Sequence, residues 1–364
     1  MSNNQRIQAL RQKLDENSLS AILITNETNV GYLTGFTGHD SYFLLTDSKA
    51  IILSDPRYEE HLQNECPQFE IVMRPPGTSL TETILETIRN IGATNLGVEA
   101  ASITLELYET LTKDLSKVKL ESTSGLVEEL REIKDETEVQ TIRKAIALSE
   151  RAFTLLKHSL QPKQTEKELA ASLEYTIRKL GGKGCSFSSI IGVGQQAALP
   201  HAIPTDKEVG SSDFILVDWG VCYNQYISDM TRMIVHGKVT DQFKEIYQIV
   251  LTAQEKAIEA IKPGAPMSAI DDAARDFIKE AGYGDQFNHG LGHGIGREVH
   301  EMPRISASSD AILKPGMVVT VEPGIYLPEW GGVRIEDDIL VTDDGHENLS
   351  SLPKDLESCL IEIL

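Results

Sequence analysis

The chain has 364 residues, 40% of them hydrophobic, enough for a substantial core spread over two or three domains. Lys plus Arg total 34 against 55 Asp plus Glu, and the formal net charge of −21 argues against nucleic acid or an anionic membrane surface as a partner. The longest apolar runs, "AILIT", "YFLL" and "AIIL", fall well short of the roughly 20 residues a membrane span needs.

In chain order, the polar opening "MSNNQRIQALRQKL" reads as a helix rather than a secretion signal. From residue 20 to about residue 125, short apolar strands alternate with helical spacing. "SAILIT", "SYFLLT", "KAIILS", "FEIVMR", "NLGVEA" and "VKLES" are strand-like; "RYEEHLQNE" and "TETILETIRNI" are helical. This alternation predicts an α/β layer domain over 1–127. It contains His39, Asp55 and Arg57 but no clustered metal ligands and no phosphate loop, which suits a structural or capping role. The junction falls near "STSGLVEELREIKDETE", where a Ser/Gly turn leads into a charged helix. The remainder, 128–364, forms the second domain.

Cys66, Cys185, Cys222 and Cys359 lie far apart with no CxxC pair. Structural zinc and a disulfide scaffold are therefore not expected, and a reducing cytoplasm is.

The second domain repeats itself at an interval of roughly 100 residues. Pro162, then Thr165 with Glu168 three residues on, then a stop at Gly181 describe a capped helix. Pro263, then Ser268 with Asp271, then Gly282 describe another. After each comes a hairpin with two acids. "DFILVDWGVCYNQYISDMTRMIV" centres on Tyr223 and Asn224 and places Asp218 beside Asp229. "VTVEPGIYLPEWGGVRIEDDILVT" centres on Glu329 and pairs Glu322 with Glu336. Buried carboxylates need a cation. If the halves pack face to face, four of them converge and divalent ions are the economical compensation.

"NHGLGHGIGREVHEMP" adds His289, His293 and His300 among glycines. One imidazole with four carboxylates is a hard ligand set suited to Mn²⁺, Co²⁺ or Fe²⁺, with Zn²⁺ as an alternative. Four acids are too few for two separate sites, so two should bridge a pair of ions roughly 3.5–4 Å apart, an arrangement suited to amide hydrolysis.

The segments "LVDWG", "SDMTR", "HGLGHGIG", "VHEMP", "TVEPGIY" and "VRIEDDI" resemble the pita-bread metallopeptidases, in the branch of Xaa-Pro aminopeptidases and Xaa-Pro dipeptidases (prolidases). "REIKDETEVQTIRKA", "NVGYLTGFTG" and "SDPRY" extend the resemblance over nearly the whole chain. It implies an α/β N-terminal domain of the creatinase/prolidase type for capping and dimerisation. It also implies an α+β pita-bread catalytic domain with a pseudo-two-fold repeat.

Carried over residue by residue, Asp218 binds one metal, His293 and Glu322 the other, and Asp229 and Glu336 bridge both. His201 in "ALPHAIP" stabilises the oxyanion or orients substrate, and His300 faces the proline. His289 supports the site, Arg334 holds the bridging carboxylates, and Arg304 recognises a substrate carboxylate. Glu322 takes the acid/base role in water activation. Arg297, where many relatives have an apolar residue, and Trp219 are pocket-wall candidates, Trp219 alternatively core filling.

The implied activity is Mn²⁺-dependent removal of a first residue that precedes proline by a cytoplasmic homodimer, an Xaa-Pro aminopeptidase. "YLTGFTG" inclines the reading that way, and a dipeptidase is the alternative. A metal-free creatinase-type hydrolase or a non-catalytic pita-bread binding module would lack the five ligand positions. A methionine aminopeptidase would lack the large N-terminal domain.

Overall fold

The computed structural model describes residues 1–362 and divides into two units, Met1–Arg131 and Glu132–Leu364. The first unit opens on α1 (Asn3–Glu16), where Ser2 and Gln5 form a reciprocal capping box. Strands β1 (Ala21–Ile24), β2 (Tyr42–Thr46), β3 (Ala50–Ser54), β4 (Glu70–Met73), β5 (Asn95–Glu99) and β6 (Lys119–Thr123) form one sheet in the order β4-β3-β2-β1-β5-β6. β1, β2 and β3 are joined antiparallel, whereas β1–β5, β3–β4 and β5–β6 are parallel. Parallel neighbours need crossovers, and α3 (Glu59–Glu65), α4 (Leu80–Ile91) and α5 (Leu105–Asp114) supply them, with α2 (Glu27–Thr34) between β1 and β2. The unbroken apolar run of β1 fits its central place, because all four of its residues are buried. A short α6 (Glu128–Glu132) spans the division between the units.

The first half of the second unit holds α7 (Glu136–Ser159), α8 (Glu166–Lys179), β7 (Gly184–Cys185) and β8 (Ile190–Val193). β9 (Phe214–Trp219), β10 (Val221–Tyr223), β11 (Tyr226–Ile227) and β12 (Met230–Val235) complete it. The second half runs α9 (Asp241–Ala260), α10 (Met267–Glu280), β13 (Gly292–Gly294), β14 (Glu301–Ile305) and β15 (Val318–Val321). It continues through β16 (Gly324–Leu327), β17 (Gly331–Arg334), β18 (Asp337–Val341) and β19 (His346–Asn348), followed by α11 (Leu356–Cys359). Each half therefore offers two helices and two sheets: β12-β9-β8 and β11-β10-β7 in one, β14-β13-β15-β18-β19 and β16-β17 in the other.

The helix starts differ between the halves. Thr165 caps α8 and forms the expected box with Glu168. Ser268, by contrast, lies inside α10, because the chain enters the helix through Pro266 at φ −63°, and no side chain caps it. The Asp271 carboxylate is used elsewhere, paired with Arg275 one turn on at 2.6 Å and accepting the Leu291 N–H at 3.1 Å. Both helices do stop at the predicted glycines, with Gly181 and Gly282 in the left-handed region at φ 102° and 92°.

Two apolar clusters fill the second unit, one around α9 and α10 and one around α7 and α8. Trp219 belongs to the latter. It is fully buried, stacked on Phe153 with centroids 4.4 Å apart, and its indole N–H donates to the Ser149 carbonyl. Of its two readings, core filling is the one the structure gives.

Candidate metal centre

The C-terminal hairpin has the register its acids predict. Val321 pairs with Asp337 and Gly324 with Arg334, so the ladder is centred on Glu329 and Glu322 stands across from Glu336. In the other hairpin the turn sits one residue later than expected, which shifts the pairing by two. Asp218 faces Thr231 rather than Asp229, because the turn is made by Asn224 and Gln225, both left-handed at φ 47° and 66°. Asp229 stays on the same face of its strand as Thr231, two residues before it.

His293 arrives on β13. Gly292 and Gly294 let the backbone close in on both sides: a Cβ at Gly292 would lie 2.0 Å from the Thr320 carbonyl oxygen, and one at Gly294 2.3 Å from that of Met302. Burial and the neighbouring His300 hold the His293 pKa down to about 4, so the imidazole is neutral. Its Nδ1 lies 3.2 Å from the Gly294 carbonyl, which can only accept, so the ring proton sits on Nδ1 and donates there. The Nε2 lone pair then faces Glu322 Oε1 at 3.4 Å and Asp229 Oδ2 at 3.8 Å. A lone pair opposed to two carboxylate oxygens is the donor arrangement of a cation site. Ligand atoms of Asp229, His293 and Glu336 all lie within 4.8 Å of one another.

The carboxylates themselves are under-compensated. Burial, with the mutual repulsion of the acids, pushes Asp229 and Glu336 well above the ordinary carboxylate range. Burial raises Asp218 as well, and Glu322 to about 8. The buried Asp218 Oδ1 has no hydrogen-bond partner among the described residues. These groups fit divalent ions, which would satisfy the free oxygens and neutralise the charge.

Arg334, buried to 2% exposure, is the guanidinium in their midst. It donates to Asp218 Oδ2, to the Tyr326 hydroxyl at 2.8 Å and to Thr231 Oγ1 at 3.0 Å. Its direct partner is thus Asp218, not the expected bridging acids. It reaches Glu336 only through Thr231, whose hydroxyl donates to Glu336 Oε2 at 2.7 Å. His289 joins the same network, with Nε2 3.0 Å from the Tyr326 hydroxyl and Nδ1 2.8 Å from the Gly290 carbonyl. Burial and Arg334 lower its pKa to about 4. Thr231 and Tyr326 escape the sequence reading because neither carries charge; Tyr326 lies within "TVEPGIY" itself.

Two cavities border this centre. One, of about 410 Å³, is lined by His201, His289, His300, Arg304, Glu322 and Arg334, among others. The other, of about 550 Å³, shares His201, His293, His300 and Glu322 but has apolar walls from Phe187, Ile190, Ile203, Pro204 and Val299. His201 and His300 line both and are exposed. Burial, then Arg304, lowers the His300 pKa. Arg304 is exposed on β14 and has no ion pair among the described residues. Arg297 lines neither cavity; it bonds Gln225 and lies over the Tyr226 ring at 5.6 Å.

Comparison with known proteins places this geometry. Residues 140–343 match the metallopeptidase family M24, and residues 6–133 match the creatinase/prolidase N-terminal domain. The chain is 36% identical to the Xaa-Pro dipeptidase of Pyrococcus furiosus, over 97% of its own length and 99% of the relative's. Among solved structures it resembles the Xaa-Pro dipeptidase from Bacillus anthracis, with TM-score 0.94 and 37% identity over 99% of this chain and 100% of that one. It also resembles the X-Pro aminopeptidase from Thermotoga maritima, with TM-score 0.88 and 36% identity over 95% and 98% of the two chains.

Proposed function

The chain belongs to metallopeptidase family M24 and is a metal-dependent hydrolase of pita-bread fold, and we propose that it is an Xaa-Pro dipeptidase. Of the two readings the sequence leaves, this alternative has the better support. The P. furiosus and B. anthracis relatives carry that name, and Arg304 carries the reading within the site. A guanidinium without an ion-pair partner, lining the cavity that the acids and histidines border, suits the free carboxylate of a two-residue substrate.

In this reading Asp218, Asp229, His293, Glu322 and Glu336 would hold two divalent ions, Mn²⁺ first among the candidates, with Asp229 and Glu336 able to serve both. When bound, the ions supply charge to polarise the amide carbonyl and to activate water. The protein's own groups do the rest. Glu322, which lines both cavities, takes the acid/base role in water activation. His201 faces the scissile carbonyl, and His300, held neutral, faces the proline ring. His289 supports the cavity wall, and Arg334 fixes the Asp218 carboxylate. An Xaa-Pro bond has no N–H, so a site that grips carbonyl and carboxylate needs no acceptor for one.

The free thiols of Cys66, Cys185, Cys222 and Cys359 suit the cytoplasm. A homodimer, the assembly the family resemblance implies, is checked by light scattering.

The test compares Ala-Pro with Ala-Pro-Ala, using protein reconstituted with Mn²⁺. A dipeptidase cleaves Ala-Pro and leaves the tripeptide at least about tenfold slower, since an added residue displaces the carboxylate from Arg304. Equal or faster tripeptide cleavage would make it an aminopeptidase, the reading that the likeness to the T. maritima enzyme favours.

A further inference from the structure

The segment that carries His201 leaves β8 at Val193 and ends at Thr205, and both of its ends are tied to one buried carboxylate. Glu166, the first residue of α8, is fully buried. Its Oε1 accepts the Val193 N–H at 2.8 Å; its Oε2 accepts the Thr205 N–H at 2.8 Å and the Thr205 hydroxyl at 2.6 Å. A carboxylate so buried is normally paired with a cation. Here three donors from the two ends of one loop take that place.

The halves of this loop are held unequally. The helical turn Gly194–Ala198 packs backbone to backbone on β17, where a Cβ at Gly332 would sit 2.2 Å from the Ala197 carbonyl oxygen. Beyond Leu199 the packing thins: Ala202 is buried in the apolar core, but Leu199 and Ile203 are 54% and 82% exposed, and the His201 ring makes no hydrogen bond among the described residues. Backbone bonds such as Ala202 N–H to Leu199 O, and Lys167 N–H to Thr205 O, join the Glu166 clamp there. The place of the His201 ring is thus set by the buried Ala202 beside it and by where the far end of its loop is tied.

The other half of the repeat also ties a segment to a buried carboxylate on its second helix, here one paired with an arginine. Asp271 on α10, also fully buried, accepts the Leu291 N–H, and its partner Arg275 donates to the carbonyls of Phe287 and His289. That clamp holds the segment leading to His289 and His293.

We infer that Glu166 is a positioning residue for hydrolysis, acting through His201 by fixing the second half of its loop against the metal-binding acids. The inference rests on the proposed role of His201 at the scissile carbonyl.

The experiment is a double-variant cycle on Mn²⁺-loaded protein with Ala-Pro. In Glu166→Gln the carboxamide turns an N–H towards one of the three donors. kcat is expected to fall about 10- to 100-fold, with KM and bound metal per chain near wild type. Amide exchange should accelerate over residues 199–205 while β8 stays protected. On a His201→Ala background the same change should add less than about twofold. Thr205→Val, which removes only the hydroxyl donor, should behave alike with a smaller loss and takes over the cycle if Glu166→Gln does not fold. Equal losses on both backgrounds, with His201→Ala itself slow, would overturn the clamp and leave the role of His201 standing. A His201→Ala enzyme of wild-type rate would overturn both.

Discussion

Thr231 Oγ1 donates to Glu336 Oε2 at 2.7 Å and accepts from Arg334 Nε at 3.0 Å, so one hydroxyl links the acid hairpins of the two halves. Opposite Asp218 in the β9–β12 ladder, it joins Arg334 by hydrogen bonds to an acid that the guanidinium does not itself bond. Thr231→Val keeps the shape and deletes both bonds. It should weaken metal binding by about 10- to 100-fold, as loss of a group that orients a ligand does. Titration calorimetry with Mn²⁺ would read this directly; unchanged affinity would mean that Glu336 is oriented by the fold alone.

Arg334 serves three partners, Asp218, Tyr326 and Thr231, from one planar fork. Lysine has the charge but not the fork. Arg334→Lys should leave at least two of those acceptors unserved and lower kcat by about 100-fold. Tyr326→Phe, which removes one partner only, should cost less. The ordering of the two rates is the check, and a Tyr326→Phe enzyme slower than Arg334→Lys would refute it.

How much of this was legible in the sequence follows from what each feature depends on. Glu322 and Glu336 could be paired because the strands around Glu329 are apolar and evenly matched, and the register they predict is the one observed. Asp218 and Asp229 were paired two residues out of register because Asn224 and Gln225 supply the left-handed turn without a glycine to mark it. Ser268 and Asp271 spell a capping box, yet Asp271 is drawn to Arg275 and the Leu291 N–H, partners set by tertiary packing. Thr231 and Glu166 were invisible for a related reason. A threonine in a strand and a glutamate at a helix start have ordinary local roles, and only the register and the loop closure give these two others.

Arg304 separates the two peptidase readings by mutation as well as by substrate. Arg304→Met should raise KM for Ala-Pro and lower kcat/KM about 10- to 100-fold, the value of a charge-assisted carboxylate contact. Hydrolysis of Ala-Pro-amide, which lacks the carboxylate, should be slow in both proteins and nearly equal. A uniform loss on the two substrates would move Arg304 from recognition to support of His293 and His300, whose pKa values its charge already depresses.

The first unit has its own electrostatic test. Asp55 is buried at the end of β3, and its carboxylate accepts from the Arg57 backbone N–H and side chain, then from Arg74 at 2.7 Å. The Arg57 bonds, with Arg74 after them, bring its pKa down to about 2. A folded pKa below the unfolded value of about 3.9 contributes stability above that value and loses it as pH falls through the folded pKa. Asp55→Asn should therefore be less stable than wild type near neutrality, by a margin that is constant down to about pH 5 and shrinks between about pH 4 and about pH 2. Thermal unfolding of both proteins across that range measures the margin. A gap that persists unchanged below pH 4 would assign the effect to lost hydrogen-bond geometry, because only the charge titrates in that window.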